Sequence, residues 1–459
     1  MTSEWESAKL GDICDITIGK TPPREQKKWF SVGKGLRWAS IKDMGKNGKY
    51  LENTKEYLTH DAVESFNIHI VKKGTILLSF KLTVGRLSIA NHDVCTNEAI
   101  AHLSNPKINR NYLYYYLKNF NYDTLGSTSS IATAVNSTII KQLPVVYPSL
   151  LKQNKIAYIL STLDDKIELN RKMNLTLKAI AQTLFKSWFV DFDPAYAKQA
   201  AENSIKTGEV VNYDQIAKEL GISREVLDLF PDKFEETKLG LIPKGWEVSE
   251  LGECGLEIES GKRPKGGIDK ELKHGVPSVG AESVASTGEF EFSKVRYVTD
   301  DFALKSKKGW VQDMDVALYK DGGRPGLFMP RVALYGRDFP FKHYMINEHV
   351  FLLRSEQLGQ CFLYNLVTSD SILNQLILRG SAKAAQPGLN QTEVKSSTFV
   401  LPSVSLIESF NQAVTPMVVK QLENGKQIQT LQQTRDTLLP KLLSGELDVS
   451  ELELDNVTH

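Results

Sequence analysis

Long apolar runs, cysteine pairs and a dominant charge are all missing from these 459 residues. No stretch of 18 uninterrupted apolar residues occurs, and the N-terminus, MTSEWESAKLGD, has no basic patch leading into an apolar segment, so neither a membrane span nor a signal peptide is expected. The four cysteines, Cys14, Cys95, Cys254 and Cys361, lie far apart and form no Cys-x-x-Cys. That argues against zinc and predicts buried, free thiols in a reducing cytosol, hence a cytoplasmic protein. The eight histidines show no metal-ligand spacing with acids or cysteines. A net charge of +1 argues neither for nor against nucleic acid. Its distribution is more informative, because residues 1–150 carry 19 Lys/Arg against 13 Asp/Glu whereas residues 241–402 carry 20 of each. Only the first segment is basic, so DNA binding by this chain would depend on local patches or on partners.

What the chain does contain is a helical stretch present twice. Pro148-Ser149-Leu150 to Trp188-Phe189 lies on Pro402-Ser403-Val404 to Leu442-Leu443. Ile156, Leu160, Leu163, Ile167, Asn170, Asn174, Leu177, Ala181, Leu184 and Trp188 recur in steps of four and three, the seam of a coiled coil. The second copy answers with Phe410, Val414, Met417, Gln421, Asn424, Ile428, Leu431, Arg435, Leu438 and Leu442. Both seams are apolar at the ends and polar in the middle, and Asn170 falls on Asn424, a device that fixes register because a slipped helix leaves the amide unpaired. The two helices are therefore expected to be partners, each about 50 Å long at 1.5 Å per residue.

The segments before the helices also correspond. Gly19-Lys20-Thr21-Pro22 is echoed by Gly261-Lys262-Arg263-Pro264, Gly35 to Ser40 by Gly275 to Gly280, and Glu56-Tyr57 by Arg296-Tyr297. Thr75 to Ser79 matches Asp315 to Tyr319, and Thr96-Asn97-Glu98-Ala99 matches Ile346-Asn347-Glu348-His349. A repeat of about 250 residues is too long for a solenoid and reads as a duplicated pair of domains. The expected class is α+β: two mixed α/β domains (1–149 and 241–402) separated by two long antiparallel coiled-coil helices (150–192 and 403–446) in a pseudo-twofold tandem repeat. Residues 193–240 form a connector, in which Asp193-Pro194 stops the long helix and a short helix covers Tyr213 to Leu220. Residues 447–459 are an acidic tail expected to fray or to dock on a partner.

Three stretches resemble the specificity subunits of type I restriction-modification enzymes. They are Leu184-Phe185-Lys186-Ser187-Trp188-Phe189-Val190-Asp191-Phe192-Asp193-Pro194, Leu239-Gly240-Leu241-Ile242-Pro243-Lys244-Gly245-Trp246-Glu247, and Arg435-Asp436-Thr437-Leu438-Leu439-Pro440-Lys441-Leu442-Leu443-Ser444-Gly445-Glu446-Leu447. The resemblance implies two target-recognition domains, each reading half of a split, asymmetric double-stranded DNA site. It also implies helices that dock two methyltransferase subunits, with restriction (translocase) subunits added. Heads about 50 Å apart would sit on the order of fourteen base pairs from centre to centre. S-adenosylmethionine, ATP and magnesium would belong to the partners, with none bound by this chain.

Three decoys for catalysis fall away on inspection. Asp193-Pro194-Ala195-Tyr196 lacks the second proline of an adenine-methyltransferase pocket, and no glycine-rich loop precedes it. Gly19-Lys20-Thr21 has Cys14 where a phosphate loop needs glycine. Pro231-Asp232 and Glu236-Thr237-Lys238 are too close together to surround a nuclease metal. The chain is read as a non-catalytic subunit.

DNA contacts need Arg, Lys, Asn, Gln, Ser or Thr on loops or helix ends. The foremost candidates lie in two polar loops: Ser127, Ser129, Ser130 and Asn136 in the first domain, and Lys383, Gln386 and Asn390 in the second, with Asn136 lying on Asn390. Lys20, Arg37, Lys42, Lys81 and Arg86, and Lys262, Arg263, Lys265, Lys320 and Arg324, are the supporting set. For helix pairing and subunit docking the candidates are Asn170, Leu177, Leu184, Phe185, Trp188, Phe189, Asn424, Leu431, Leu438 and Leu442. Burial against the second helix competes with docking for the aromatic group. The alternative from another class is a coiled-coil scaffold presenting two protein-binding heads without reading DNA.

Overall fold

The computed structural model describes every residue except 1–4, 46–47, 82, 126–135, 281, 325, 384–386 and 454–459. The chain divides into two compact units: unit 1, Met1–Glu168 with Thr430–His459, and unit 2, Leu169–Gln429. Each unit takes part of either long helix. The helices run Leu150–Phe189, 40 residues, and Val404–Ser444, 41 residues.

In unit 1 a five-stranded sheet has the order Asp15–Ile18, Ile100–Ser104, Ile76–Ser79, Leu87–Ala90, Tyr50–Leu51. Its central strands are mostly apolar, with one serine each, and buried on both faces, as an interior strand requires. A second sheet orders Phe30–Ser31, Glu56–Leu58, Leu36–Ala39 and Cys95–Thr96, the last pair parallel. Glu6–Lys9 pairs antiparallel with Pro144–Tyr147, so the first strand clasps the one that delivers the chain to its long helix.

Unit 2 repeats the arrangement. Its larger sheet orders Glu257–Ser260, Val350–Arg354, Asp315–Tyr319 and Arg331–Tyr335, and its smaller one Arg296–Val298, Val276–Val279 and Met345–Ile346, the last pair again parallel. Glu247–Glu250 closes on Thr398–Leu401.

The helical segments are antiparallel within each unit, but partners differ from the repeat-aligned residues. In unit 2 Asn424 Nδ2 donates to Asn174 Oδ1 at 2.9 Å, Asn174 Nδ2 donates to the Gln421 carbonyl at 3.1 Å, and Asn170 Nδ2 donates to Gln427 Oε1 at 3.1 Å. Leu177 and Leu184 are half-buried there. Phe185, Trp188 and Phe189 are 3%, 3% and 6% exposed and join the core around Phe362, Phe410 and Trp246. Burial therefore takes these aromatic side chains, and surface docking through them is corrected. In unit 1 Leu442 is buried, while Leu431 and Leu438 are half-buried. There Asp164, which the periodicity left off the seam, is buried and accepts from Arg435 at 2.6 Å and from the Tyr115 hydroxyl at 2.8 Å.

Two further expectations change. The long helix ends at Phe189, Phe192 adopts the left-handed conformation (φ 58°), and Asp193–Lys206 is a new helix carrying Pro194 in its first turn. Proline is favoured there because its missing N–H would have no helical partner anyway, so Asp-Pro starts a helix instead of stopping one. The short connector helix is Tyr213–Glu219. The start of the acidic tail docks on its own unit: Val449 is buried, and Lys155 Nζ donates to the Ser450 carbonyl at 2.7 Å.

Candidate nucleic-acid interface

The echoed motifs build the same clasp in both units. A Cβ on Gly19 would lie 2.3 Å from the Asn97 carbonyl oxygen, and one on Gly261 would lie 2.2 Å from that of Asn347, so only glycine lets the Gly-Lys-x-Pro segment approach. Asn97 and Asn347 hold the facing turn, their side-chain oxygens accepting from the N–H of Ala99 at 3.2 Å and of His349 at 3.0 Å. The next residue, Glu98 or Glu348, reaches back: Glu98 accepts from the Thr21 hydroxyl, and Glu348 pairs with Arg263 at 3.2 Å. Burial pushes the Glu98 carboxyl up, but the Thr21 hydroxyl, its own backbone N–H and the charges of Lys81 and Arg24 outweigh it and hold the group below its ordinary value.

Around this clasp unit 1 gathers several candidates. Lys20 is exposed and donates to the Asn67 carbonyl at 3.1 Å, and Lys81 lies 5.6 Å from the Phe80 ring centre. The Arg86 guanidinium donates to the Ile41 carbonyl at 3.1 Å, which sets it beside exposed Lys42. Arg37 is half-buried on Leu36–Ala39. Ser127, Ser129 and Ser130 lie outside the described residues, as does Gln386 of unit 2.

Unit 2 brings Lys320, Arg324, Lys383 and Asn390 to one side. The Leu389 N–H donates to the Lys320 carbonyl at 2.7 Å and the Phe328 N–H to Ser381 Oγ at 3.0 Å, the latter fastening the Gly323–Arg324/Leu327–Phe328 hairpin to the end of the helix Asp370–Ser381. Arg324 is exposed on that hairpin, and Lys262 and Lys265 are exposed beside the clasp. Lys320 is bound at 2.9 Å to Asp321, and Lys383 at 2.9 Å to Glu393.

The Asn136–Asn390 correspondence has a structural cause. Asn136 Oδ1 accepts from the Ile139 N–H at 3.0 Å and Asn390 Oδ1 from the Glu393 N–H at 2.8 Å, capping the helices Ser137–Lys141 and Gln391–Lys395.

Sequence reasoning missed the side chains that distinguish the two units at equivalent positions. Trp38 in unit 1 is 1% exposed beneath Arg24, whose guanidinium lies 4.5 Å from its ring centre and pairs with Glu56 at 2.7 Å. The equivalents of Trp38 and Glu56 in unit 2 are Ser278 and Arg296, and a cleft of about 370 Å³ opens there. Lys42 becomes Glu282, Lys81 becomes Asp321 and Ala99 becomes His349, so with Glu56 and Arg296 the charge changes sign at three equivalent positions. The signal was present in the aligned repeats, in the residues that differ between copies.

No group of three or more potential metal ligands occurs among the described residues, and all four cysteines are free and buried. No described helix is long and apolar enough to cross a membrane.

Residues 2–179 match the family model described as the type I restriction modification DNA specificity domain. The chain is 30% identical over 458 residues to the type I restriction enzyme MjaIX specificity subunit of Methanocaldococcus jannaschii, covering 98% of this chain and 95% of that one. It is 28% identical over 337 residues to the HindI specificity subunit of Haemophilus influenzae, covering 67% and 70%. The S subunit of the M. genitalium type I system shares the fold with a TM-score of 0.50 at 14% identity, over 95% of this chain and 96% of that one. With 30% identity to the MjaIX subunit across nearly the full length of both chains, and the duplicated globule-and-helix architecture, this protein belongs to the type I restriction enzyme specificity subunits.

Proposed function

We propose that this chain supplies the DNA sequence selectivity of a type I restriction-modification enzyme, reading a bipartite, asymmetric target with one unit on each half. It scaffolds two methyltransferase subunits and the restriction subunits through its helical segments. Methyl transfer with S-adenosylmethionine, and cleavage with ATP and magnesium, belong to those partners, and this chain contributes position and no chemistry. One observation carries the reading: two units share one clasp yet carry opposite charge at three equivalent positions beside it, as two readers of different sequences on one scaffold should.

The test is modified-base sequencing of DNA from a host expressing this chain with its methyltransferase, against the methyltransferase alone. A split motif methylated only with this chain present supports the reading. A stable complex that methylates no motif sinks it and favours a scaffold with two protein-binding heads.

Arg324→Ala tests a single contact. Because its side chain is exposed on a hairpin tip, the expected loss is about 1–3 kcal/mol confined to one half-site. Equal loss on unrelated sequences, measured by binding at fixed salt, would instead make Arg324 a phosphate contact.

A further inference from the structure

The polar cleft of unit 2 is bordered by Ser278, Glu282, Lys294, Arg296, Tyr319 and Asn347. Ser278 is 2% exposed and its hydroxyl has no hydrogen-bond partner among the described residues, so a buried polar group faces this space unsatisfied. Such an atom normally has a protein, water or ligand partner, because leaving it bare costs about 1–3 kcal/mol. Glu282 is exposed and forms no ion pair among the described residues. Asp321, by contrast, is held by His349 Nδ1 at 3.0 Å and Lys320 at 2.9 Å, so it shapes the wall and is not available to read. Lys294 and Arg296 are exposed cations on the same cleft, placed to meet phosphates while Glu282 is spared for another partner.

We infer that this cleft is the base-selecting site of unit 2, with Glu282 accepting a hydrogen bond from the exocyclic amino group of a cytosine or adenine in the major groove. The inference rests on the DNA-reading role proposed above and names the chemistry one unit selects. A carboxylate accepts from cytosine N4 or adenine N6, but it repels the keto oxygens of guanine and thymine and every phosphate. Unit 1 supports the assignment by contrast. There Trp38 and Arg24 fill the position of Ser278, and the residue equivalent to Glu282 is Lys42, which would favour guanine.

The experiment compares methylation motifs of complexes carrying the wild-type chain, Glu282→Lys, Glu282→Gln and Ser278→Trp, each co-expressed with the same methyltransferase. In the wild type, one position of one half should be adenine or cytosine. Glu282→Lys should move that position to guanine or thymine and cut methylation of wild-type sites by about ten-fold, leaving the other half unchanged. Glu282→Gln, which both donates and accepts, should relax the same position. Ser278→Trp, which installs the residue of unit 1, should relax or abolish the same half. Because Glu282 is exposed, its variants stay informative if Ser278→Trp does not fold. A wild-type motif retained by both Glu282 variants, or altered in both halves, overturns the inference while leaving the DNA-reading role intact. A wild-type complex that methylates no motif overturns both.

Discussion

Phe410→Ala is expected to destabilise unit 2 by about 3–5 kcal/mol, the range for deleting a fully buried aromatic ring. Phe410 is 0% exposed, with ring centres of Phe185 at 5.5 Å, Phe189 at 5.4 Å, Phe362 at 5.9 Å and Trp188 at 6.0 Å. Phe185 and Phe189 come from the first long helix, Phe410 from the second, and Phe362 from the helix Gln360–Thr368, so the ring joins three elements with one side chain. Mutual edge-to-face contacts add to the area term, and rings fixed on three backbones cannot collapse into the void. Amide exchange of residues 360–368 and 404–418 should speed up together by the equivalent factor. A loss below about 1 kcal/mol would mean that the two helices are not packed through this cluster.

Asp164→Ala is expected to cost unit 1 about 3 kcal/mol, because it removes the buried carboxylate that Arg435 and the Tyr115 hydroxyl share. Asp164 is 6% exposed and accepts from Arg435 at 2.6 Å and the Tyr115 hydroxyl at 2.8 Å, with Lys118 at 3.9 Å. Removing the carboxylate takes this partner from all three while Arg435 keeps its ion pair with Asp436 at 2.7 Å, and Asp164→Leu combined with Arg435→Met should recover part of the loss. Burial alone would raise the Asp164 carboxyl, but Lys118, Arg435 and Tyr115 outweigh it and hold it below its ordinary 3.8. A lowered carboxyl stabilises the fold above its unfolded value, so this contribution is fully present at neutral pH and is lost as the pH falls below 3.8. Denaturant unfolding of wild type and Asp164→Ala at pH 7 and pH 3 should therefore show the gap between them narrowing in acid. A gap that stays constant would mean the carboxylate is not ionised in the folded state.

At the same level in unit 2 the repeat places Val418 and Ala181, buried and uncharged. One repeat thus built an ion pair where the other kept an apolar contact. Neither periodicity nor alignment shows this, because Asp164 lies one residue from the seam position that Leu163 occupies in the sequence pattern.

The sequence by itself determined the duplication, the two long helices, the mixed sheets between them and the shared clasp motifs. Each is a local or self-similar property: apolar spacing of four and three defines a helix face, and a motif repeated in order implies a structure repeated in order. Only the tertiary structure decided which residues meet. Repeat alignment matches Asn170 with Asn424, but antiparallel helices run past each other in opposite directions, so Asn424 meets Asn174 and Asn170 meets Gln427. For the same reason the inward turn of Phe185, Trp188 and Phe189 depended on Phe362 and Trp246, far along the chain. The cleft beside Glu282 likewise exists because Ser278 is small where unit 1 has Trp38, and the space left by a side chain is set by its neighbours in three dimensions.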